Sequence, residues 1–180
     1  MSSKPTVSVI LPTYNRRGLI SRSIRSVLRQ TYRDFELIVV DDGSTDGTAA
    51  VLRDYRDPRI RIFRHLRNKG AGAARNTGIR QGRGDYFAFQ DSDDEWLPEK
   101  LAKHMAVFSN RGFKGGVVYS DMLRILKNGT SVYHNSPRVK PRVLIDRKTN
   151  FYQVCRLGIQ SSVIKRACLE RTGYFNEQFP

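Results

Sequence analysis

Four acids stand within five residues at Asp91, Asp93, Asp94 and Glu95, directly after the apolar run Tyr86-Phe87-Ala88-Phe89. Carboxylate oxygens are the ligands that hard divalent cations prefer. Acids gathered this closely repel one another unless something positive sits among them. In extended backbone, residues two apart project to one side, so Asp91 and Asp93 are expected to approach a single cation together. Two further polar clusters are Pro12-Thr13-Tyr14-Asn15 and Asp41-Asp42-Gly43-Ser44. Tyr14 offers a flat ring on which a base can stack, and an acid such as Asp42 can accept a hydrogen bond from a ring N–H. Arg75, with the segment Asn68 to Gly70, adds positive charge and donors. A base reader, a cation site and a basic contact together describe a pocket for a nucleoside diphosphate. The competing reading of the acid run is a solvated turn that opens the helix beginning at Pro98.

Each cluster follows a run that reads as a strand. Val7 to Leu11, Phe35 to Val40, Ile60 to Phe63 and the run opening at Tyr86 are short, apolar and rich in β-branched or aromatic residues. Between them lie helical patterns. One runs from about Arg16 to Gln30, with Leu19, Ile20, Ile24, Val27 and Leu28 on one face and Arg and Ser opposite. Another carries Val51, Leu52 and Tyr55 and is expected to be capped by the turn ending at Thr48. A small-residue helix spans about Gly70 to Gln81, and a fourth runs from Pro98 to Asn110. Such alternation predicts an α/β architecture with a parallel sheet, and open parallel sheets bind ligands at the carboxyl ends of their strands. Farther on, Gly116 to Asp121 and Leu123 to Leu126 read as strands, with Asn128-Gly129 as a hairpin turn returning through Tyr133. Phe151 to Leu157 and Ser162 to Arg171 are expected helices, the second stopped by Gly173.

The 180 residues carry 32 Lys+Arg against 17 Asp+Glu, a net charge of +15, which points to an anionic partner. On charge alone that partner could be nucleic acid, a phosphate-bearing small molecule or an anionic lipid surface. No nucleic-acid-binding motif is present, and no apolar run reaches the roughly 20 residues needed to span a membrane. Met-Ser-Ser-Lys-Pro leads directly into a strand without a signal peptide, so the expected location is the cytoplasm, with the cytoplasmic face of the membrane as an alternative. Cys155 and Cys168 are expected to be free thiols. His65, His104 and His134 are scattered and read as core or surface fillers, and Trp96 as helix-entry packing.

Four segments carry a family resemblance. They are Val7 to Arg16, Gln30 to Asp46, Asn68-Lys69-Gly70 with Ala74-Arg75-Asn76-Thr77-Gly78, and Asp91-Ser92-Asp93-Asp94. Together they resemble family 2 of the inverting nucleotide-sugar glycosyltransferases, and a weaker likeness continues through Gly173 to Glu177. The resemblance implies the GT-A fold, with residues 1–98 as the nucleotide-sugar-binding half and 99–180 as the start of an acceptor-side half of one domain. By the same resemblance Tyr14 packs on the base, with Pro12, Thr13 and Asn15 shaping the turn. Asp42 contacts the base and Asp41 the nucleoside. Asn68, Gly70 and Arg75 lie at the donor, and Asp91 or Ser92 faces the ribose and sugar. Asp93, with Asp91, would hold Mn2+ or Mg2+. The implied reaction is metal-dependent transfer with inversion, from a nucleoside-diphosphate sugar, UDP-sugar being the family's commonest, to a saccharide or lipid-linked acceptor. The family's base usually follows the Gly-x-Phe-x-Glu stretch, here Gly173 to Glu177, so it is expected beyond Pro180, with Asp121 and Glu177 as weak candidates. A sugar-phosphate nucleotidyltransferase would share the layout but calls for a Gly-rich phosphate loop where Pro12 to Asn15 stand. A basic nucleic-acid-binding module would rest on charge alone.

Overall fold

Alternating apolar strands and amphipathic helices assemble around one twisted sheet. The computed structural model describes residues 4–126, 129, 131–134 and 158–178. The chain runs β1 (Val7–Thr13), α1 (Ile20–Leu28), β2 (Phe35–Asp41), α2 (Thr48–Arg53), β3 (Ile60–Arg64), α3 (Ala71–Gln81), β4 (Tyr86–Phe89), α4 (Lys100–Ser109), β5 (Val117–Tyr119), β6 (Met122–Ile125) and β7 (Ser131–His134). A short 3-10 turn at Ile159–Ser161 then leads into β8 (Ser162–Lys165) and α5 (Arg166–Thr172). The six-stranded sheet has the order β3-β2-β1-β4-β8-β5, and β6 and β7 form a separate antiparallel pair. β1 to β4 are mutually parallel, whereas β8 runs antiparallel between β4 and β5.

β1 and β2 are buried along their whole length because both sheet faces are covered. Alternate residues feed opposite layers. Val7, Val9 and Leu11 pack with Ile20, Ile24 and Val27 of α1, Leu52 of α2, and Trp96, Leu101 and Met105 around α4. Ile10, Ile38, Val40, Phe87 and Phe89 face Ala74 and Ile79 of α3 and Leu169 of α5. The small residues of α3 let it approach closely: a Cβ on Gly78 would lie 2.4 Å from Ile10 Cγ2.

Two expectations are corrected here. Ser162 to Arg171 is not one helix, since Ser162–Lys165 fills the sheet between β4 and β5 and only Arg166–Thr172 is helical. The open edge of β4 decides this, pairing Tyr86 with Lys165 and Ala88 with Val163. Gly173 does stop the helix, at φ 87. The first helix is also shorter than expected. Arg16 and Arg17 precede it, because their backbone N–H groups donate to Thr48 Oγ1 and Asp46 Oδ2 at 2.9 and 3.0 Å. The β6–β7 hairpin forms as expected, with Ile125 opposite Ser131. The Phe151 to Leu157 helix lies outside the described residues.

Candidate functional site

β1 lies between β2 and β4, and all three run in one direction, so their carboxyl ends emerge side by side. Thr13 is in register with Asp41, and Ile10 with both Ile38 and Phe89. The three polar clusters therefore share one edge of the sheet. Tyr14 is 42% exposed there, leaving its ring accessible for stacking. Asn15 takes the left-handed conformation at φ 51, its N–H donating to Ser44 Oγ at 2.9 Å. Its Oδ1 accepts from Thr45 N–H at 2.8 Å, so Asn15 ties the first tip to the second. Gly43, at φ 78, brings that turn against the next loop, where a Cβ would meet the Arg67 carbonyl carbon at 2.6 Å.

The two acids of the second tip have different surroundings. Asp42 is buried and saturated with donors: the His65 ring at 2.6 Å, Lys69 N–H at 3.0 and 3.1 Å, and Gly70 N–H at 2.8 Å. His65 in turn places Nε2 2.9 Å from the Thr77 hydroxyl. Nδ1–H facing the carboxylate leaves Nε2 to accept from Thr77. His65 is thus more than a filler, since it orients Asp42. Asp41 accepts from Ser44 N–H through Oδ1, while its buried Oδ2 has Arg64 Nε at 3.3 Å but no hydrogen bond. Asn68 Oδ1 accepts from Gly70 N–H at 3.2 Å, shaping the loop that Asp42 grips.

β4 ends at Phe89, so the acids do not lie in extended backbone as expected. Asp94 N–H closes a turn onto Asp91 O at 3.2 Å. The Asp91 carboxylate meets Arg75 Nη2 at 2.9 Å, and Asp93 Oδ2 stands 3.7 Å from Arg16 Nη2. Arg22 bonds both Glu95, at 2.9 Å, and Asp93 O, at 2.9 Å. Asp94 sits above the usual carboxylate range, pushed up by burial first and by Asp91 and Asp93 next, with Arg22 and Lys100 offsetting part. Burial lowers the Lys100 ammonium to about 7 against the pull of Asp94. That amine donates to Gln160 O at 2.7 Å and lies over the Trp96 ring, which is buried as expected.

The acid turn is templated by α1. Ser23 Oγ donates to Asp91 O at 3.0 Å, and Ser26 Oγ accepts from Trp96 N–H at 3.1 Å. The buried Gln30 amide donates to Leu97 O at 2.8 Å and accepts from Leu101 N–H at 2.9 Å. Gln90 links Ser23 Oγ to Asp94 O at 3.1 and 2.6 Å. These residues, with Arg16, Arg22 and His65, belong to the neighbourhood of the site and were absent from the expected set. Their types are unremarkable on paper, and their partners lie far away in sequence.

Both carboxylates, with hard oxygens on an exposed turn, suit a divalent cation completed by ligand oxygens. Among the described residues, no three His, Cys, Asp or Glu side chains form a ready cage. Buried polar atoms without a hydrogen bond gather at the same strand ends: Thr13 Oγ1, Arg16 Nε, Asp41 Oδ2 and Arg75 Nε. Asp121 follows β5, which runs parallel to β4 two strands away, so it stands at the same edge about 10 Å off by strand spacing. Glu177 is committed to α3, accepting from Asn76 Nδ2 at 2.8 Å and Arg80 Nη2 at 3.3 Å.

Residues 8–166 match the sequence profile of glycosyl transferase family 2. The chain belongs to that family. It is similar to TuaG of Bacillus subtilis, a glycosyltransferase named for teichuronic acid biosynthesis, at 44% identity over 60% of this chain and 44% of TuaG. It is equally similar, at 44%, to WfgD of Escherichia coli, a UDP-Glc:alpha-D-GlcNAc-diphosphoundecaprenol beta-1,3-glucosyltransferase, over 56% of this chain and 40% of WfgD. Among solved structures, S. aureus TarS in complex with UDP-GlcNAc superposes with TM-score 0.77 and 28% identity, covering 95% of this chain and 48% of that one. The mannosyltransferase PcManGT of Pyrobaculum calidifontis, with GDP-Man and Mn2+, gives 0.70 and 26% over 98% and 49%. The family 2 chain described here thus spans less than half the length of these relatives. Its mainly parallel sheet and these neighbours are those of the GT-A fold.

Proposed function

We propose that this family 2 chain forms the donor-binding part of a metal-dependent, inverting glycosyltransferase. The enzyme would move a sugar from a nucleoside-diphosphate sugar to a saccharide or lipid-linked acceptor in cell-surface polysaccharide synthesis. The observation that carries the reading is the meeting of three parallel strand ends, bearing Tyr14, Asp41-Asp42 and Asp91 to Asp93, around buried polar atoms that make no hydrogen bond. Tyr14 stacks on the base. Thr13 Oγ1 and Asp41 Oδ2, which make no hydrogen bond although Arg64 stands beside the latter, face the nucleoside, while Asp42, oriented by His65, holds the Asn68 to Gly70 loop beside it. Arg75 and Ser92 lie toward the diphosphate and sugar.

Asp93 and Asp91 would hold Mn2+ or Mg2+, which when bound supplies positive charge to a departing diphosphate. Inversion needs a carboxylate base at the acceptor hydroxyl. Glu177 is engaged with α3, and Asp121, just past β5, is a weak candidate for that base. Complexes of TarS with UDP-GlcNAc and of PcManGT with GDP-Man and Mn2+ support the donor class and leave the nucleotide to experiment. The WfgD substrate name supports a lipid-linked acceptor and action close to a membrane. No helix among the described residues is long and apolar enough to cross one.

The test is thermal unfolding with UDP, dTDP and GDP, each with and without Mn2+. One diphosphate is expected to raise Tm only with the metal, by mass action on the folded state. Stabilisation by none of them would refute the reading. Tight, salt-sensitive binding of polynucleotide instead would favour the charge-based alternative.

A further inference from the structure

One charged side chain at the strand ends has no role in the assignment above. Arg16 follows Tyr14 by two residues, and its backbone is pinned by Thr48. Its guanidinium turns back over the site, with Nη1 donating to Asn15 O at 3.3 Å. Nη2 faces Asp93 Oδ2 at 3.7 Å, too far for a hydrogen bond. Nε is buried and makes no hydrogen bond. Nε–H and the adjacent Nη2–H form the side-on fork with which arginine grips two oxygens of one phosphate or carboxylate. Arg16 therefore presents a fork that is neither hydrated at Nε nor satisfied at Nη2. Arg75 mirrors it across the acid turn, with Nη2 on Asp91 at 2.9 Å and a buried, unbonded Nε. As an exposed ion pair, Arg16 with Asp93 would contribute little. Burying an unpaired Nε–H for that alone makes poor physical sense.

Building on the donor reading above, we infer that Arg16 is a diphosphate-binding residue that competes with the cation for Asp93. A diphosphate oxygen draws Nη2 and its charge away from Asp93 and leaves that carboxylate to the metal. Nucleotide and cation are then coupled through this side chain, each favouring the other. Removing Arg16 must have effects of opposite sign: the diphosphate loses a charged contact, and the cation alone loses a competitor.

The experiment compares wild type with Arg16→Ala and Arg16→Lys. Mn2+ binding alone is followed by the paramagnetic resonance of the free ion. Binding of UDP, GDP and dTDP, and of the matched monophosphates, is followed by calorimetry with Mn2+ present. Arg16→Ala is expected to weaken the preferred diphosphate about tenfold or more, the cost of a charge-assisted contact. The monophosphate should weaken less, and Mn2+ alone should bind tighter. Lysine should restore part of the diphosphate affinity but not the fork's full effect. Arg25→Ala, an exposed change on α1, should move neither quantity. A diphosphate affinity within about twofold of wild type, or Mn2+ weakening in parallel with the diphosphate, overturns the inference. If Arg16→Ala does not fold, Arg16→Gln and Arg16→Lys carry the same comparison. Wild type that binds none of the three diphosphates refutes the donor reading itself, a failure visible before any variant is measured.

Discussion

Replacing Gln30, just past the end of α1, tests whether this segment shapes the acid turn. Its side chain is fully buried, and its amide spans two elements. Oε1 accepts from Leu101 N–H, which lies in the first turn of α4, where backbone donors have no partner within the helix. Glu99, the residue at that helix start, makes no capping bond with its side chain. Gln30 thus caps α4 from across the core. Nε2 donates to Leu97 O and to Ser26 O. Gln30→Met keeps the length of the side chain and removes the amide. The buried Leu101 N–H then loses its acceptor at a cost of about 2 kcal/mol, and the lost donor to Ser26 O of the buried Ser26 and to Leu97 O adds about 1 kcal/mol. A loss of about 3 kcal/mol corresponds to about 10 °C in Tm for a chain of this size. Thr31→Ala is the matched control. The exposed Thr31 hydroxyl reaches Pro98 O at 3.2 Å, but its backbone N–H holds the same oxygen at 2.8 Å, so the change should stay within about 0.5 kcal/mol. Urea and thermal unfolding measure both. Freed at its downstream end, the acid turn should also show a smaller nucleotide-plus-Mn2+ stabilisation in Gln30→Met. A loss below about 1 kcal/mol would mean that apolar packing alone holds the turn, and the template argument would fall.

The remaining predictions concern the supports of the other two strand ends and the opposite edge of the sheet. Burial pushes the Glu36 carboxyl up, but Arg83 N–H, the Ser8 hydroxyl and the Arg61 and Arg83 guanidiniums outweigh it and hold the group below its ordinary 4.5. A depressed folded value means that its stabilisation is complete above pH 4.5 and is lost as pH falls from there through the folded value. Glu36→Gln should therefore cost about 3 kcal/mol at neutral pH, with the gap to wild type narrowing in urea melts below pH 4.5; a constant gap would contradict the network. Gly43→Ala places a Cβ against Arg67 backbone at φ 78 and should cost about 2 kcal/mol or more while weakening nucleotide binding; an unchanged Tm would show that the two loops can part freely. Thr77→Val removes the hydroxyl facing His65 Nε2, at a cost of about 1–2 kcal/mol. Nitrogen-15 shifts should report the Nδ1–H tautomer in wild type, and a wild-type Nε2–H signal would reverse the assigned chain from Thr77 to Asp42.

What could be read in advance follows the range of the forces involved. The apolar runs Val7 to Leu11 and Phe35 to Val40 announce strands because burial on both faces leaves no room for polar alternation, and β1 and β2 formed there. Tyr14, Asp42 and Asp93 announce themselves by type, and strand order brings their strand ends together. Ser162-Val163-Ile164-Lys165 misleads because Ile164, Cys168 and Leu169 also fit a helical face, while the edge of β4 that recruits the segment lies about 80 residues earlier. The acid turn departs from extended backbone for a similar reason, being bent by hydrogen bonds from residues 68 to 71 positions upstream. Even so, a local trace of that long-range control exists. Ser23 and Ser26 of α1, and Gln30 just past its end when the helical projection is continued, fall within about 60° of one another, directly beside the apolar stripe of Ile20, Ile24 and Val27. Polar groups held that deep must find partners. Some of that capacity goes to carbonyls of α1 itself, as Ser26 Oγ on Ser23 O and Gln30 Nε2 on Ser26 O show, and the rest is met by irregular chain with free carbonyls and N–H groups. The segment from Asp91 to Leu101 is chain of that kind, and it carries the acids. A buried polar stripe on a helix therefore signals, before any coordinates, that the helix organises a loop, and here the loop is the one on which the chemistry depends.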